Sequence, residues 1–266
     1  MVTTGQIVGM ILAIVIPMAA VVVLQRQIMK KLKKKGIFTC FVYGMLGYCW
    51  QMILYAFVHS WVVGFLGQYD FFKAGFGYIL AMMINAIVYA FFVVLATSWC
   101  LYLANMRIRE FDRGVPIGVG YAAAYIFWSY LFAYGIALFY GIQIKTGTFQ
   151  GSDEIKEKIF SLSVENMYLY IADMIIFLLI MAGTLVLMSH FFTKGEKGKM
   201  ILVPLLSQYV INFLDSFLPY MLPEVASSII YHLVTGTMAV YGLWLIYGYI
   251  KSGRLELLPG RKTSEE

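Results

Sequence analysis

Eight side chains in this 266-residue sequence could do chemistry that their surroundings make expensive. Gln51, His59, Asn85, Asp173, Gln208, Asn212, Asp215 and His232 each lie inside a long apolar run. In hydrocarbon an amide, imidazole or carboxylate is costly unless it faces a partner or a water-filled cavity, so such groups mark candidate sites. Asp173 and Asp215 are the carboxylates able to act as a general base, and they stand as the candidate catalytic pair. Gln208, Asn212 and Asp215 are spaced by four and then three residues, which places them on one face of a helix. Pointed into a bundle, that face would line a polar pocket shared with Gln51, Asn85, Asp173 and His232. His190 falls at the end of an apolar run and is expected at the interface.

Established catalytic signatures are missing. The sequence has no His-Glu-x-x-His, no Gly-x-Ser-x-Gly and no paired glutamates inside an apolar run. Gly195-Glu-Lys-Gly-Lys199 is too short for a phosphate-binding loop and lacks its Ser/Thr. Nucleotide hydrolysis by this chain alone is therefore not expected, nor is a metal or other cofactor. Cys40, Cys49 and Cys100 each sit in an apolar run without a Cys-x-x-Cys pair, and read as small core hydrophobes.

These groups need a scaffold that spans a membrane. Of the 266 residues, 61% are hydrophobic and 13% charged, against about half and about a quarter in soluble domains. The apolar residues form seven runs near the roughly 20 residues a spanning helix needs: Ile7–Leu24, Ile37–Val63, Phe76–Leu103, Val115–Ile142, Met167–Phe192, Met200–Leu218 and Val225–Ile250. The fold expected is all-α, a polytopic transmembrane helix bundle forming one domain over 1–250, followed by a polar cytoplasmic tail over 251–266.

The basic residues test that layout. Segments 25–36, 107–113, 193–199 and the tail from Lys251 carry six, three, three and four of them, sixteen of the 20. Lys73, Lys145, Lys156 and Lys158 fall on the other side. Because cytoplasmic loops are enriched in Lys and Arg, the expectation is an N-terminus outside and a C-terminus inside, in a cell membrane taken to be a bacterial plasma membrane. No basic residue precedes the first apolar run and six follow it, which fits an anchored helix better than a secretory leader. The net charge of +6 sits in these loops, where it meets anionic lipid. It forms no stripe suited to nucleic acid.

One sizeable outer loop, Gln143 to Asn166, holds a turn at Gly147-Thr-Phe-Gln-Gly-Ser152 and a short amphipathic helix over Asp153–Lys158. Trp61, Tyr78 and Tyr220 at one set of span ends, and Trp99, Trp244 and Tyr247 at the other, suit interfacial anchoring. Gly120-x-x-x-Ala124 on the fourth span would let a neighbouring helix approach closely.

The order of elements resembles the YhfC-type family of bacterial intramembrane proteases, which look like distant relatives of the CAAX-protease and PrsW groups. The resemblance runs over most of the chain, from Pro17 and the lysine-rich turn onward. It implies a Glu-Glu-x-x-Arg motif on the third span, where Leu95-Ala-Thr-Ser-Trp99 stands. It implies a Gly-x-Gly-His-Gly-Gly-x-Glu motif next; Gly118-Val-Gly-Tyr-Ala-Ala-Ala-Tyr125 keeps the two glycines and puts Tyr121 and Tyr125 at the His and Glu positions. A later Glu-Arg then His pattern falls on Glu165-Asn166 and Asp173, and a His-x-x-x-Asp/Asn motif on Gln208-x-x-x-Asn212. Tyrosine, with a pKa near 10, cannot replace glutamate as a base near neutral pH.

The resemblance thus implies a kept scaffold with degenerate chemistry: a pseudoprotease that binds a lipid, a peptide or a partner membrane helix in an outward polar pocket. Tyr121 and Tyr125 would form its floor, although the topology puts them in the inner half. The alternatives are a membrane subunit of a permease-like transporter and an active intramembrane peptidase with a divergent site.

Overall fold

A computed structural model describes residues 2–32, 36–107 and 113–252 of the chain. Among these described residues nine α-helices follow in order: α1 Thr4–Leu32, α2 Ile37–Leu66, α3 Gly75–Arg107, α4 Gly114–Ile126, α5 Phe132–Thr146, α6 Asp153–Phe160, α7 Val164–Thr193, α8 Lys197–Met221 and α9 Glu224–Ser252. A 3-10 turn at Asp70–Lys73 joins α2 to α3, and a π-helical turn at Phe127–Leu131 joins α4 to α5. Counting α4 and α5 as one crossing, seven segments of 25 to 33 residues are long and apolar enough to span a bilayer. At 1.5 Å per residue they exceed the roughly 30 Å of hydrocarbon, so they tilt or run on into the headgroups.

All seven spans expected from the apolar runs are present, each longer at one or both ends. The fourth differs in kind. Instead of one continuous α-helix it carries the π turn, whose extra residue resets the register between α4 and α5. Hydropathy does not sense that change, because both halves are equally apolar. The α9 helix continues to Ser252, and residues 253–266 of the expected tail lie outside the described residues.

The helix ends obey local rules. Gln6 N donates to Thr3 Oγ1 at 3.1 Å while Thr3 N donates to Gln6 Oε1 at 2.9 Å, a reciprocal capping box. Gln6 Nε2 then reaches the carbonyls of Phe160 and Leu162 at 3.1 and 2.9 Å, which ties α1 to the turn between α6 and α7. Ser163 Oγ caps α7 by accepting from Asn166 N at 3.2 Å. The α6 helix has the acids Asp153 and Glu154 in its first turn, paired with Lys156 and Lys158.

Helix α7 stands at the centre, with α1, α4, α8 and α9 packed round it. The main core runs through α2, α4 and α7, from Cys40 and Tyr48 through Ile117 and Tyr121 to Met181 and Leu185. Without a hydrophobic force between helices in lipid, close backbone approach must do the packing. A Cβ at Gly120 would collide with the Phe41 carbonyl oxygen, and one at Gly44 would sit 2.7 Å from the Tyr121 nitrogen. Here α2 and α4 cross main chain against main chain. Lys73, Lys145, Lys156 and Lys158 gather at the end of the bundle that holds the start of α1, whereas Arg26, Lys30, Arg113, Lys194 and Lys251 lie at the opposite end.

Candidate functional site

At the end of the bundle where α1 begins, α7, α8 and α9 enclose a cavity of about 450 Å3. Its lining includes Tyr170, Asp173, Asp215, Glu224, Ser228, Tyr231 and His232, and no Lys or Arg. Helical spacing assembles it: Tyr170 lies three residues before Asp173 on α7, and Ser228 lies four before His232 on α9. Pro219, also in the wall, has no N–H, so the carbonyl four residues back, that of Asp215, is left without its usual helical donor.

His232 and Asp173 form the centre. His232 Nδ1 lies 2.7 Å from the Ser228 carbonyl oxygen and 3.3 Å from Ser228 Oγ. A carbonyl only accepts, so Nδ1 carries the hydrogen. His232 Nε2 faces Asp173 Oδ1 at 3.0 Å. Neither atom has another hydrogen-bond partner and both are enclosed, so their contact is attractive only with a proton between them. With Nδ1–H turned towards Ser228, the imidazole cannot take a proton from that hydroxyl. The Ser228–His232–Asp173 array therefore lacks the base that a serine nucleophile needs.

Asp215 is exposed at the cavity wall. Among the described residues neither Asp215 nor Glu224 has an ion-pair partner. The cavity thus presents three carboxylates and one imidazole between the rings of Tyr170 and Tyr231.

The remaining sequence candidates go elsewhere. Asn85 lines a second cavity, of about 520 Å3, between α2, α3 and α8, together with His59, Tyr78 and Ser216. Asn85 Oδ1 accepts from Tyr55 Oη at 3.3 Å and lies 2.7 Å from His59 Nδ1. Helix α8 forms a wall common to both cavities, with Asp215 lining one and Ser216 the other. Gln208 is 1% exposed, its amide Nε2 against Met181 Sδ at 3.3 Å. Asn212 folds back to donate to the Gln208 carbonyl at 2.8 Å. The three-residue face of α8 is geometrically real, yet only its Asp215 end reaches the first cavity.

Gln51 and Tyr121 are fully buried, with Tyr121 Oη donating to Gln51 Oε1 at 3.2 Å. Tyr48 packs edge-on against both Tyr121 and Tyr125, and Tyr125 lies against Phe177, one turn along α7 from Asp173. The pocket expected from sequence, with Tyr121 and Tyr125 as its floor, is thus distributed over two cavities and a buried aromatic column. Tyr231 lies within electrostatic reach of Asp173, Asp215 and Tyr125, and so links the first cavity to that column.

Sequence reasoning passed over Tyr170, Glu224, Ser228 and Tyr231. The i, i+3 and i, i+4 relations to Asp173 and His232 were the available signal for Tyr170 and Ser228; Tyr231 follows Ser228 by three residues on α9 and Glu224 precedes Tyr231 by seven, so the same period reaches both. Thiol labelling reads this partition directly. Cysteine at Asp215 is expected to react with a membrane-impermeant maleimide applied from the side that holds the N-terminus, whereas cysteine at Gln208 is expected to stay protected. The reverse pattern would break the assignment.

The buried amide gives a second prediction. Gln51 Nε2 has no partner, and Tyr121→Phe would leave Gln51 Oε1 unmet as well. That substitution is expected to cost about 1–3 kcal/mol, while Tyr121→Phe combined with Gln51→Leu is expected to be close to neutral. Thermal unfolding in detergent compares the two.

Fold and site together define a multi-pass helical membrane protein with an acidic cavity at one end of its bundle. Comparison with protein-family models, with curated proteins and with solved structures finds no match for the chain.

Proposed function

We propose that this protein is a non-catalytic membrane receptor, built on the scaffold of the YhfC-type proteases, that holds a ligand by a cationic amine in the cavity between α7, α8 and α9. The observation that carries this reading is the charge of the lining. Asp173, Asp215 and Glu224 surround about 450 Å3 with no Lys or Arg among them. That volume falls within the roughly 300–1,000 Å3 of small-ligand sites. Tyr170 and Tyr231 add π-faces, which attract cations.

The orientation of the imidazole supports the non-catalytic part. His232 Nδ1–H is turned to Ser228, Asp173 is held against His232, and Tyr121 and Tyr125 stand where the resembled family has His and Glu. An amine bound beside Asp173 would bring a charged donor to a carboxylate whose present partner is the His232 ring nitrogen.

The test uses the full chain in nanodiscs with dodecylamine and dodecanol, matched in chain length. Dodecylamine is expected to raise the unfolding temperature saturably and dodecanol not to. Equal shifts would overturn the proposal. Should the chain instead be a divergent peptidase, Asp173→Asn with Asp215→Asn would abolish cleavage of a membrane substrate in cells. Co-purification of an ATP-hydrolysing subunit would point instead to a permease.

A further inference from the structure

At the opposite end of the bundle, a groove of about 620 Å3 lies between α1 and the start of α2, lined by Val21, Val22, Gln25, Arg26, Met29, Lys30 and Phe41. Two features mark it as a site. Gln25 is only 8% exposed, and both its Oε1 and its Nε2 lack a hydrogen-bond partner. A buried amide with donor and acceptor both unmet is costly, and this one lines a groove with room for a ligand. Arg26 and Lys30 are exposed in the same wall, four residues apart on one helix. Like charges so placed repel one another, and among the described residues no carboxylate pairs with either.

We infer that this groove is a binding site for an anionic phospholipid, of the phosphatidylglycerol kind. The phosphate sits between Arg26 and Lys30, where the guanidinium can bind it in two-pronged fashion. Gln25 lies about 7 Å deeper along the helix axis than Lys30. At that level its Nε2 donates to an ester carbonyl at the head of the acyl chains. Val21, Val22, Met29 and Phe41 flank an acyl chain. A zwitterionic lipid would set its own ammonium against the two cations. Basic pockets between spanning helices are a recurrent setting for anionic headgroups. The groove shares no lining residue with the acidic cavity, and lipid reaches it whichever face of the membrane this end occupies.

Native mass spectrometry of the full chain, released from mixed micelles containing equal phosphatidylglycerol and phosphatidylcholine of the same acyl chains, tests it. Phosphatidylglycerol adducts are expected at least tenfold in excess, and Arg26→Gln with Lys30→Gln is expected to bring the two lipids to parity. Gln25→Leu is expected to cut phosphatidylglycerol retention several-fold while raising the unfolding temperature of the delipidated protein, because it removes the two unmet groups. Equal adducts on the unaltered protein would overturn the proposal, as would a preference that survives the double substitution. Complete displacement by glycerol phosphate would overturn it too, since a soluble anion would then suffice. If the double variant does not fold, Gln25→Leu decides alone, and unchanged retention would again overturn the site.

Discussion

A Gly120→Leu substitution is expected to prevent the bundle from assembling. The Cβ would enter the space held by the Phe41 carbonyl oxygen, and that atom belongs to the backbone of α2, which cannot rotate away as a side chain can. The neighbouring helix has already spent its own freedom: a Cβ at Gly44 would approach Ile117 and Tyr121 on α4 in the same crossing. Separating the two helices would open the core between Cys40, Tyr48, Ile117 and Tyr121. Overpacking of a tight core typically costs about 1–3 kcal/mol. With backbone on both sides and no side chain to move, the expected loss exceeds about 3 kcal/mol, a large share of a marginal stability. Gly135, where an added Cβ meets nothing within 4 Å, provides the control. Fluorescence-detected size exclusion of the solubilised variants should show Gly135→Ala as a single peak and Gly120→Leu as aggregate or as no protein at all. A monodisperse Gly120→Leu peak with unchanged thermal stability would refute the main-chain crossing.

Asp173→Asn is expected to lower the affinity for dodecylamine by about 30-fold while leaving the fold in place. Asn has nearly the shape of Asp and can still meet His232, so packing is preserved and the charge alone is lost. Removing the carboxylate partner of a desolvated cation costs about 2–5 kcal/mol. Asp173 keeps a side-chain exposure of 27%, which argues for the lower end, about 2 kcal/mol, or roughly 30-fold at 1.4 kcal/mol per decade. Asp215 is more exposed and better screened, so Asp215→Asn should cost less, about threefold to tenfold. Isothermal titration in nanodiscs measures both. An Asp173→Asn affinity equal to that of the unaltered chain would remove the amine from the site.

The bilayer explains why so much of the architecture could be read from residue order. Backbone groups in hydrocarbon must be satisfied within their own segment, so an apolar run of the right length has few options besides a helix. The runs from Ile7, Ile37, Phe76, Val115, Met167, Met200 and Val225 each became one span. The short helix at Asp153 was equally plain, since its acids and lysines stand three and four apart on an exposed surface. Gly120 also announced its close contact, because a small residue in a span has few other uses. The break at Phe127–Leu131 gave no such notice, for a π turn inserts one residue without altering polarity.

The grouping of the polar side chains depended on relations that no residue carries alone. Periodicity placed Gln208, Asn212 and Asp215 on one face of α8, and that face exists. Which stretch of it met protein and which met open space followed from how α8 sits beside α7 and α9, and there Met181 covers Gln208 while Asp215 is left exposed. Likewise Asp173 and His232 are 59 positions apart in the chain, and nothing in either run names the other as its neighbour. Helix formation is local, driven by hydrogen bonds within each span, and so is written in consecutive residues. The pairing of Asp173 with His232 and the enclosure of Gln25 are set by rotation and depth of one helix against another, quantities that arise only when the spans come together.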